Sequence, residues 1–450
     1  LRMRCRASGE LGGGGLLFRS LDIDEGYYVR PLVPFGSGGL NGGPLTLTKP
    51  EELHKKTSTE ATDCDAALLT RRSWPAPSRS KGLVRVVDLF CGAGGMTLGA
   101  FLAAREARLR FEVALAVEKD ADVAAIYAAN FSRFTDAVDQ RLRTKVGIED
   151  FFDGDLRKRP TSSERAMRRQ VGRVDLLMGG PPCQGNSDLN NHTRRNDRRN
   201  PLYERMARAA EVLEPRVVMI ENVPPVVHAR GGVVDRAERA LRQAGYSTAP
   251  AVLPFHRLCV PQSRRRHVLL AVADCPQENL LKVVAQLSEG VGPGDRDVRW
   301  AIGDLSGRSE VPGSGTFDAP SKPSADNAER LAWFEDHRGE WILPDQSRPE
   351  CHRHGGHSYK SIYGRMRWDH PAQTVTTGFG SMGQGCYVHP EEARVITPHE
   401  AARLQTFPDF FDFSSTDRRT VWAKAIGNAV PPFGMREVVR KLLSLANRNG

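Results

Sequence analysis

Leu83-Val84-Arg85-Val86-Val87-Asp88-Leu89-Phe90-Cys91-Gly92-Ala93-Gly94-Gly95 is the stretch on which the fold turns. Its first half is a short apolar run rich in β-branched residues, the pattern of a buried strand. Its second half is a glycine-rich turn, and a helical pattern follows from Met96 to Ala107. A strand, a glycine turn and a helix in that order let backbone come close to a ligand. The turn lacks the Gly-Lys-Ser/Thr ending of a triphosphate-binding loop, which disfavours a nucleoside triphosphate.

The alternation continues outward. Phe111 to Val117 reads as a strand ending at Glu118, and Asp120 to Phe131 as a helix. Val174 to Met178 is a strand ending in Gly179-Gly180-Pro181-Pro182, Arg216 to Ile220 is another ending at Glu221, and His267 to Val272 is one more. Strands alternating with helices predict an α/β fold with a parallel sheet covered on both faces. Ligands of such sheets sit beyond the carboxyl ends of the strands, where Asp88, Glu118, Pro181 and Glu221 all fall. From Asp274 the pattern gives way to Gly, Pro, Ser and Asp, and Pro398 to Leu404 and Pro431 to Leu445 are helical again. The predicted division is an α/β domain over 81–273, a loop-rich domain over 274–375 and a returning segment over 376–450. Residues 1–80 carry two glycine-rich stretches and a Ser/Pro-rich end, and read as a flexible extension.

Composition narrows the class. The 450 residues hold 64 basic and 54 acidic side chains, net +10, with 40% hydrophobic and 26% charged residues. That is a globular chain with room for two or three domains at about 150 residues each, not a collagen-like or wholly disordered one. The purest apolar stretch, Val268 to Ala273, is far short of the roughly 20 residues a bilayer span needs, so no membrane partner is expected. Cys5, Cys64, Cys91, Cys183, Cys259, Cys275, Cys351 and Cys386 include no Cys-x-x-Cys pair. They read as reduced thiols of a cytoplasmic protein, and no secretory signal is visible. Cys351-His352-Arg353-His354, with His357, fits no standard zinc spacing and reads as a polar loop, so no metal is expected.

Four groups of residues carry the chemistry. The glycine turn after Asp88, with Glu118 about thirty residues on and Asp155 in Gly154-Asp155-Leu156, suits a nucleoside-containing cofactor. Glu118 is placed to accept both hydroxyls of a ribose, and Asp155 to accept from an adenine amine; ordinary solvated acids are the bland alternative. Gly180-Pro181-Pro182-Cys183-Gln184-Gly185 presents a thiol in a stiff turn at a strand end, a better candidate nucleophile than an isolated cysteine. Glu221-Asn222-Val223 follows another strand, and Gln262-Ser263-Arg264-Arg265-Arg266 is either a solvated charge run or a clamp for phosphate or a base carbonyl.

Taken in order, these motifs resemble the DNA (cytosine-5)-methyltransferases. Phe90-Cys91-Gly92-Ala93-Gly94-Gly95, Pro181-Pro182-Cys183-Gln184, Glu221-Asn222-Val223 and Gln262 to Arg266 are followed by Arg403-Leu404-Gln405-Thr406-Phe407-Pro408 and Gly427-Asn428-Ala429-Val430-Pro431-Pro432. The resemblance runs from about Gly82 to Leu445, and Asn186, where the family usually has an aromatic, is its visible departure. It implies a Rossmann-like S-adenosylmethionine-dependent methyltransferase sheet with a smaller, loop-rich target-recognition domain. It implies that Cys183 adds to C6 of cytosine, that Glu221 donates a proton to N3, that Arg266 contacts O2, and that Arg264 holds phosphate or the loop. The target base must leave the duplex for this. For the cofactor it implies that Phe90 stacks on adenine, Glu118 holds ribose, Asp155 faces adenine, and Asn428 and Val430 close the pocket. Asp88, Gly92, Ala93, Gly94, Gly95, Lys119, Leu156 and Pro182 complete that set.

The partner implied is double-stranded DNA, with a cognate restriction or defence system beside it and the enzyme acting as a monomer in the bacterial cytosol. Expected DNA contacts are Gln184, Ser187, Arg194, Arg195, Arg198, Arg199, Gln262, Arg365, Arg367 and Thr374. The basic stretch after Cys183, from Asn190 to Asn200, is expected to be a mobile lid with its arginines on phosphates. Other readings are a tRNA cytosine-5 methyltransferase, a non-enzymatic DNA-binding relative and a small-molecule methyltransferase. The first of these carries a Cys-Phe-Thr signature, and no Cys-Phe pair occurs here. The second would be expected to lack Cys183 or Glu221, and the third does not explain the extra domain. Charge is concentrated: Arg157 to Arg173 carries +6, Arg194 to Arg199 +3 and Arg264 to Arg266 +3, together more than the whole net charge of +10.

Overall fold

Seven strands build the sheet: β1 (Leu83–Leu89), β2 (Arg110–Glu118), β3 (Leu142–Thr144), β4 (Leu176–Gly179), β5 (Val217–Asn222), β6 (Tyr246–Pro254) and β7 (Arg265–Ala273). They belong to a computed structural model that describes residues 64–134, 142–144, 146–182, 201–229, 231–290, 296–307, 316–353 and 362–447. Their order is β3-β2-β1-β4-β5-β7-β6. β4 and β5 lie near the middle and are buried along their whole length, which is why their sequences are apolar runs rather than alternations.

β1 to β5 pair in parallel, as expected, but β7 runs antiparallel to both β5 and β6. The expected parallel pairing holds for β1 to β5, and β7 makes the sheet as a whole a mixed one. β6 is not legible as a strand because Pro250 and Pro254 interrupt it, and proline in a strand is tolerated at a sheet edge, where β6 lies. The reversal matters for the site. β7 begins, rather than ends, at the carboxyl edge of β5, with His267 opposite Asn222 and Val268 opposite Glu221.

Helices cover both faces. α1 (Gly95–Glu106), α2 (Ala121–Phe131), α3 (Ser162–Val171), α4 (Pro201–Leu213), α5 (Val233–Gln243) and α6 (Gln277–Glu289) follow the strands. Asp120 caps α2 by accepting the N–H groups of Asp122 and Val123, and Thr161 with Glu164 forms a capping box on α3. One face packs Met167, Met206, Ala210, Ala237 and Leu241 on the sheet. The other packs Ala100, Ala103, Leu280 and Leu287 with Met435, Val439 and Leu442 of the last helix.

Packing crosses two of the expected divisions. The sheet layer continues past Asp274 through α6, whose Leu280 and Leu287 are fully buried. Residues 64–80, placed in a flexible extension, are ordered in part by burial: Leu69 is fully buried, and Trp74 meets Phe101, Phe131, Phe134 and Phe410 at ring distances of 4.7–5.9 Å. Asp65 binds Arg296, and Arg436 at 2.6 and 2.9 Å. Sequence pattern could not show the Asp65 pairing, because its partners lie more than 200 residues away. Residues 1–63 are outside the described residues.

The rest of the chain adds α7 (Val298–Ile302), α8 (Ala325–Asp336), α9 (Pro398–Leu404), α10 (Arg419–Gly427) and α11 (Pro432–Asn447). A small second core joins Leu331, Phe334 and Leu343 to Met382, Val388 and Val395. It therefore draws on both sides of the boundary expected at 375. No helix among the described residues is long and apolar enough to cross a membrane.

Candidate active site at the carboxyl edge of the sheet

Register brings the motif residues together. Val117, Leu89, Gly179 and Ile220 pair across β2, β1, β4 and β5. The residues that follow them, Glu118, Phe90, Gly180 and Glu221, therefore lie side by side at the carboxyl edge.

The glycine turn is built from three left-handed residues, Phe90, Gly92 and Gly94, at φ 64°, 55° and 99°. Cys91 N–H donates to Val117 O at 3.0 Å and Gly94 N–H to Cys91 O at 2.9 Å. A side chain on Gly94 would strike Phe131, and one on Gly95 the carbonyl of Val430. Gly92 differs, since a Cβ there would meet nothing within 4 Å. It is the position where the turn faces open space, as backbone that receives a ligand must. Ala93 is buried and Phe90 half-buried. Burial and the neighbouring Asp88 and Glu118 push the Cys91 thiol well up, which disfavours its thiolate.

Two acids stand under and beside this turn. Asp88 is fully buried; its Oδ2 accepts from Thr97 Oγ1 at 2.6 Å, and its Oδ1 has no hydrogen-bond partner among the described residues. Burial raises its carboxyl to about 7, with the charge of Glu118 adding to the effect. Glu118 Oε2 accepts Gly92 N–H at 3.0 Å and Oε1 accepts Asp120 N–H at 2.8 Å. Burial raises Glu118 too, against those two donors. A fixed carboxylate with lone pairs to spare can receive a pair of hydroxyls, and an orphaned buried carboxyl oxygen can receive an ammonium donor. These residues fit an amino-acid-bearing nucleoside such as S-adenosylmethionine. Lys119 and Asp155 are exposed, and Leu156 is half-buried.

The second half lies at β4, β5 and β7. Asn222 Nδ2 donates to Pro181 O at 3.2 Å, and Pro182 follows, half-buried. Glu221 is 8% exposed, and Arg266 Nε reaches its Oε1 at 2.9 Å. Burial raises the Glu221 carboxyl above the ordinary carboxylate range, and the nearby Arg266 and Arg264 only partly oppose it. A carboxyl held in this state can keep a proton to give. Arg264 is buried, with Nη1 donating to Val375 O at 3.2 Å.

Some expected DNA contacts have other work in this structure. Gln262 is fully buried; it donates to Leu404 O at 2.7 Å and Gln405 Oε1 at 2.9 Å, and accepts Val375 N–H at 2.9 Å. It stitches three segments together from the protein interior. Arg365 is 2% exposed and lies 5.0 Å over Phe334, packed in the second core. Arg367 is half-buried and pairs with Asp369 at 3.1 Å, and Thr374 is half-buried with its carbonyl on Tyr387. Asn428 is exposed, and Val430 is buried with its carbonyl against Gly95. Cys183, Gln184, Ser187, Arg194, Arg195, Arg198 and Arg199 lie outside the described residues.

Sequence reasoning passed over the residues that hold the Asp155 segment. Glu164 accepts Gly154 N–H at 3.0 Å, and Arg208 binds both Glu164 oxygens at 2.8 and 2.6 Å in a buried pair. The Thr161-x-x-Glu164 capping box was a legible signal for one partner; nothing local pointed to the other.

A family model for C-5 cytosine-specific DNA methylase matches residues 84–444. The Type II methyltransferase M1.BsuMI of Bacillus subtilis is 38% identical over 411 residues, 91% of each chain. The Type II methylase M.HgiDII of Herpetosiphon aurantiacus is 30% identical over 356 residues, 77% of this chain and 91% of its own. Among solved structures, a DNA modification methyltransferase encoded within an E. coli prophage superposes with a TM-score of 0.53 at 23% identity, covering 81% of this chain and 99% of its own. That last likeness concerns the fold.

Proposed function

The chain belongs to the C-5 cytosine-specific DNA methylase family, and from this premise we propose that it methylates C5 of a cytosine flipped out of a specific duplex sequence. The observation that carries the reading is the convergence at one sheet edge of Gly92, Asp88 and Glu118 with the Glu221–Arg266 pair. When bound, S-adenosylmethionine supplies an electrophilic methyl group. Asp88, Gly92 and Glu118 would hold it, with Phe90, Asp155 and Leu156 around the adenine.

Cytosine C5 is a poor nucleophile until C6 is attacked. The Cys183 thiolate adds to C6, and Glu221, whose carboxyl burial shifts toward the protonated form, delivers its proton to N3. The ring then carries enamine character at C5. Arg266 both orients Glu221 and reaches the base O2. Once C5 carries the methyl group, loss of H5 as a proton to solvent, departure of the Cys183 thiolate and return of the N3 proton to Glu221 restore the neutral ring as 5-methylcytosine. The stretch after Cys183 holds the DNA backbone through its arginines. The Type II names of the relatives support a place in a bacterial restriction–modification or related DNA-modification system, acting on duplex DNA in the cytosol.

Purified protein is expected to transfer labelled methyl from S-adenosylmethionine to duplex DNA. Label on tRNA and none on DNA would sink the reading. Cys183→Ala is expected to abolish turnover while cofactor binding persists, and wild-type turnover in that variant would remove Cys183 from its role.

A further inference from the structure

We infer that Arg205, on α4, is a positioning residue that presets the Asp155–Leu156 segment for the cofactor. Arg205, Arg208 and Glu211 follow one another at i, i+3 and i+6, so they line one face of α4. That face holds the segment almost residue by residue. Arg205 Nη1 donates to Phe152 O at 3.1 Å and to Gly154 O at 2.5 Å. Arg208 Nη1 donates to Lys158 O at 2.9 Å, and both Glu211 oxygens accept Arg157 N–H at 3.0 Å. Glu164, locked by Arg208, accepts Gly154 N–H. Phe152 is itself fully buried in the core.

The frame grips the backbone on both sides of two residues. Asp155 and Leu156 sit between the held carbonyl of Gly154 and the held N–H of Arg157. Asp155 is exposed and Leu156 half-buried, so both remain available to a ligand. A loop frozen in its binding shape spends less affinity on ordering when the ligand arrives. Arg205 supplies the clamp nearest Asp155 and is only half-buried, whereas Arg208 is the buried foundation beneath it. A role in shaping the loop acts on cofactor binding, not on the chemical step.

The inference rests on the reading of Asp155 and Leu156 as cofactor contacts, and the test separates the two. In the full chain, S-adenosylhomocysteine is titrated by calorimetry without DNA, and initial rates are measured on duplex DNA. Arg205→Met is expected to weaken S-adenosylhomocysteine binding about tenfold and to raise KM for S-adenosylmethionine by the same factor, with kcat at saturating cofactor within about twofold of wild type. Arg205→Lys, which keeps a single donor head, recovers part of the loss and serves as the measured variant should Arg205→Met fail to fold. Unchanged affinity in Arg205→Met, or in Arg205→Lys when that is the variant that folds, overturns the inference alone, as does a fall in kcat with KM unmoved. A wild-type chain that binds no S-adenosylhomocysteine overturns the cofactor reading and the inference with it.

Discussion

Glu221 shows how a single residue acquires its chemistry from its place. A solvated glutamate is ionised at neutral pH and has no proton to offer a base. At the end of β5 the same side chain is 8% exposed, and its raised carboxyl stays protonated to higher pH. Arg266 at 2.9 Å limits the rise and fixes the direction of the group. Proton donation to N3 would therefore fade as pH climbs through the raised value, because the ionised form accumulates there. Glu221→Gln is expected to cut turnover by roughly 10²–10⁴ and to lose this alkaline decline, while S-adenosylhomocysteine binding is retained. A pH–rate profile of the variant that keeps the wild-type alkaline limb would assign that limb to another group.

At the scale of elements, legibility followed locality. β1, β4 and β5 were readable because strands buried on both faces are written as apolar runs. The strand ends place Asp88, Glu118 and Glu221 at one edge from sequence alone. What could not be read was held by distant partners: the direction of β7, the docking of Leu69 and Trp74, and the clamp of α4 on the Asp155 segment. Gln262 and Arg365 carried donors suited to DNA, yet burial turned both inward. α9 offers a further case. His399 Nδ1 meets Asp318 at 2.7 Å and Nε2 meets Asp409 at 2.9 Å, joining the 316–353 stretch to the helix beside the core. Burial opposes the charged ring, but the two carboxylates win and its value is raised above that of a free histidine. Such a group stabilises fully below the unfolded value of about 6.5 and loses its contribution as pH rises through the folded value. His399→Gln is therefore expected to cost about 2 kcal/mol at pH 6 and distinctly less at pH 9. Urea titrations at both pH values read the difference, and equal losses would count against a charged His399.

At the scale of the whole molecule, the net charge of +10 resolves into parts with different fates. The segment from Arg157 to Arg173 is the richest in cations, yet its one acid, Glu164, is buried against Arg208. Arg168 pairs with Glu214 and Arg173 with Asp175 at 2.6 Å. Those arginines already have carboxylate partners within the fold. Arg264 and Arg266 likewise hold Val375 and Glu221. Arg194, Arg195, Arg198 and Arg199 are set apart from these by sharing a stretch of sequence with Cys183, and that gives them the first claim on a phosphate backbone. Salt dependence tests this partition, because each phosphate contact adds about 0.9 to the slope of log affinity against log salt. Replacing the four by Gln is expected to flatten the slope by about 3 to 4 in fluorescence anisotropy with a duplex carrying the target site. The pair Arg168→Gln and Arg173→Gln is expected to leave it unchanged. A flattening in the second variant would mean that DNA runs over α3 and that its ion pairs open to receive it.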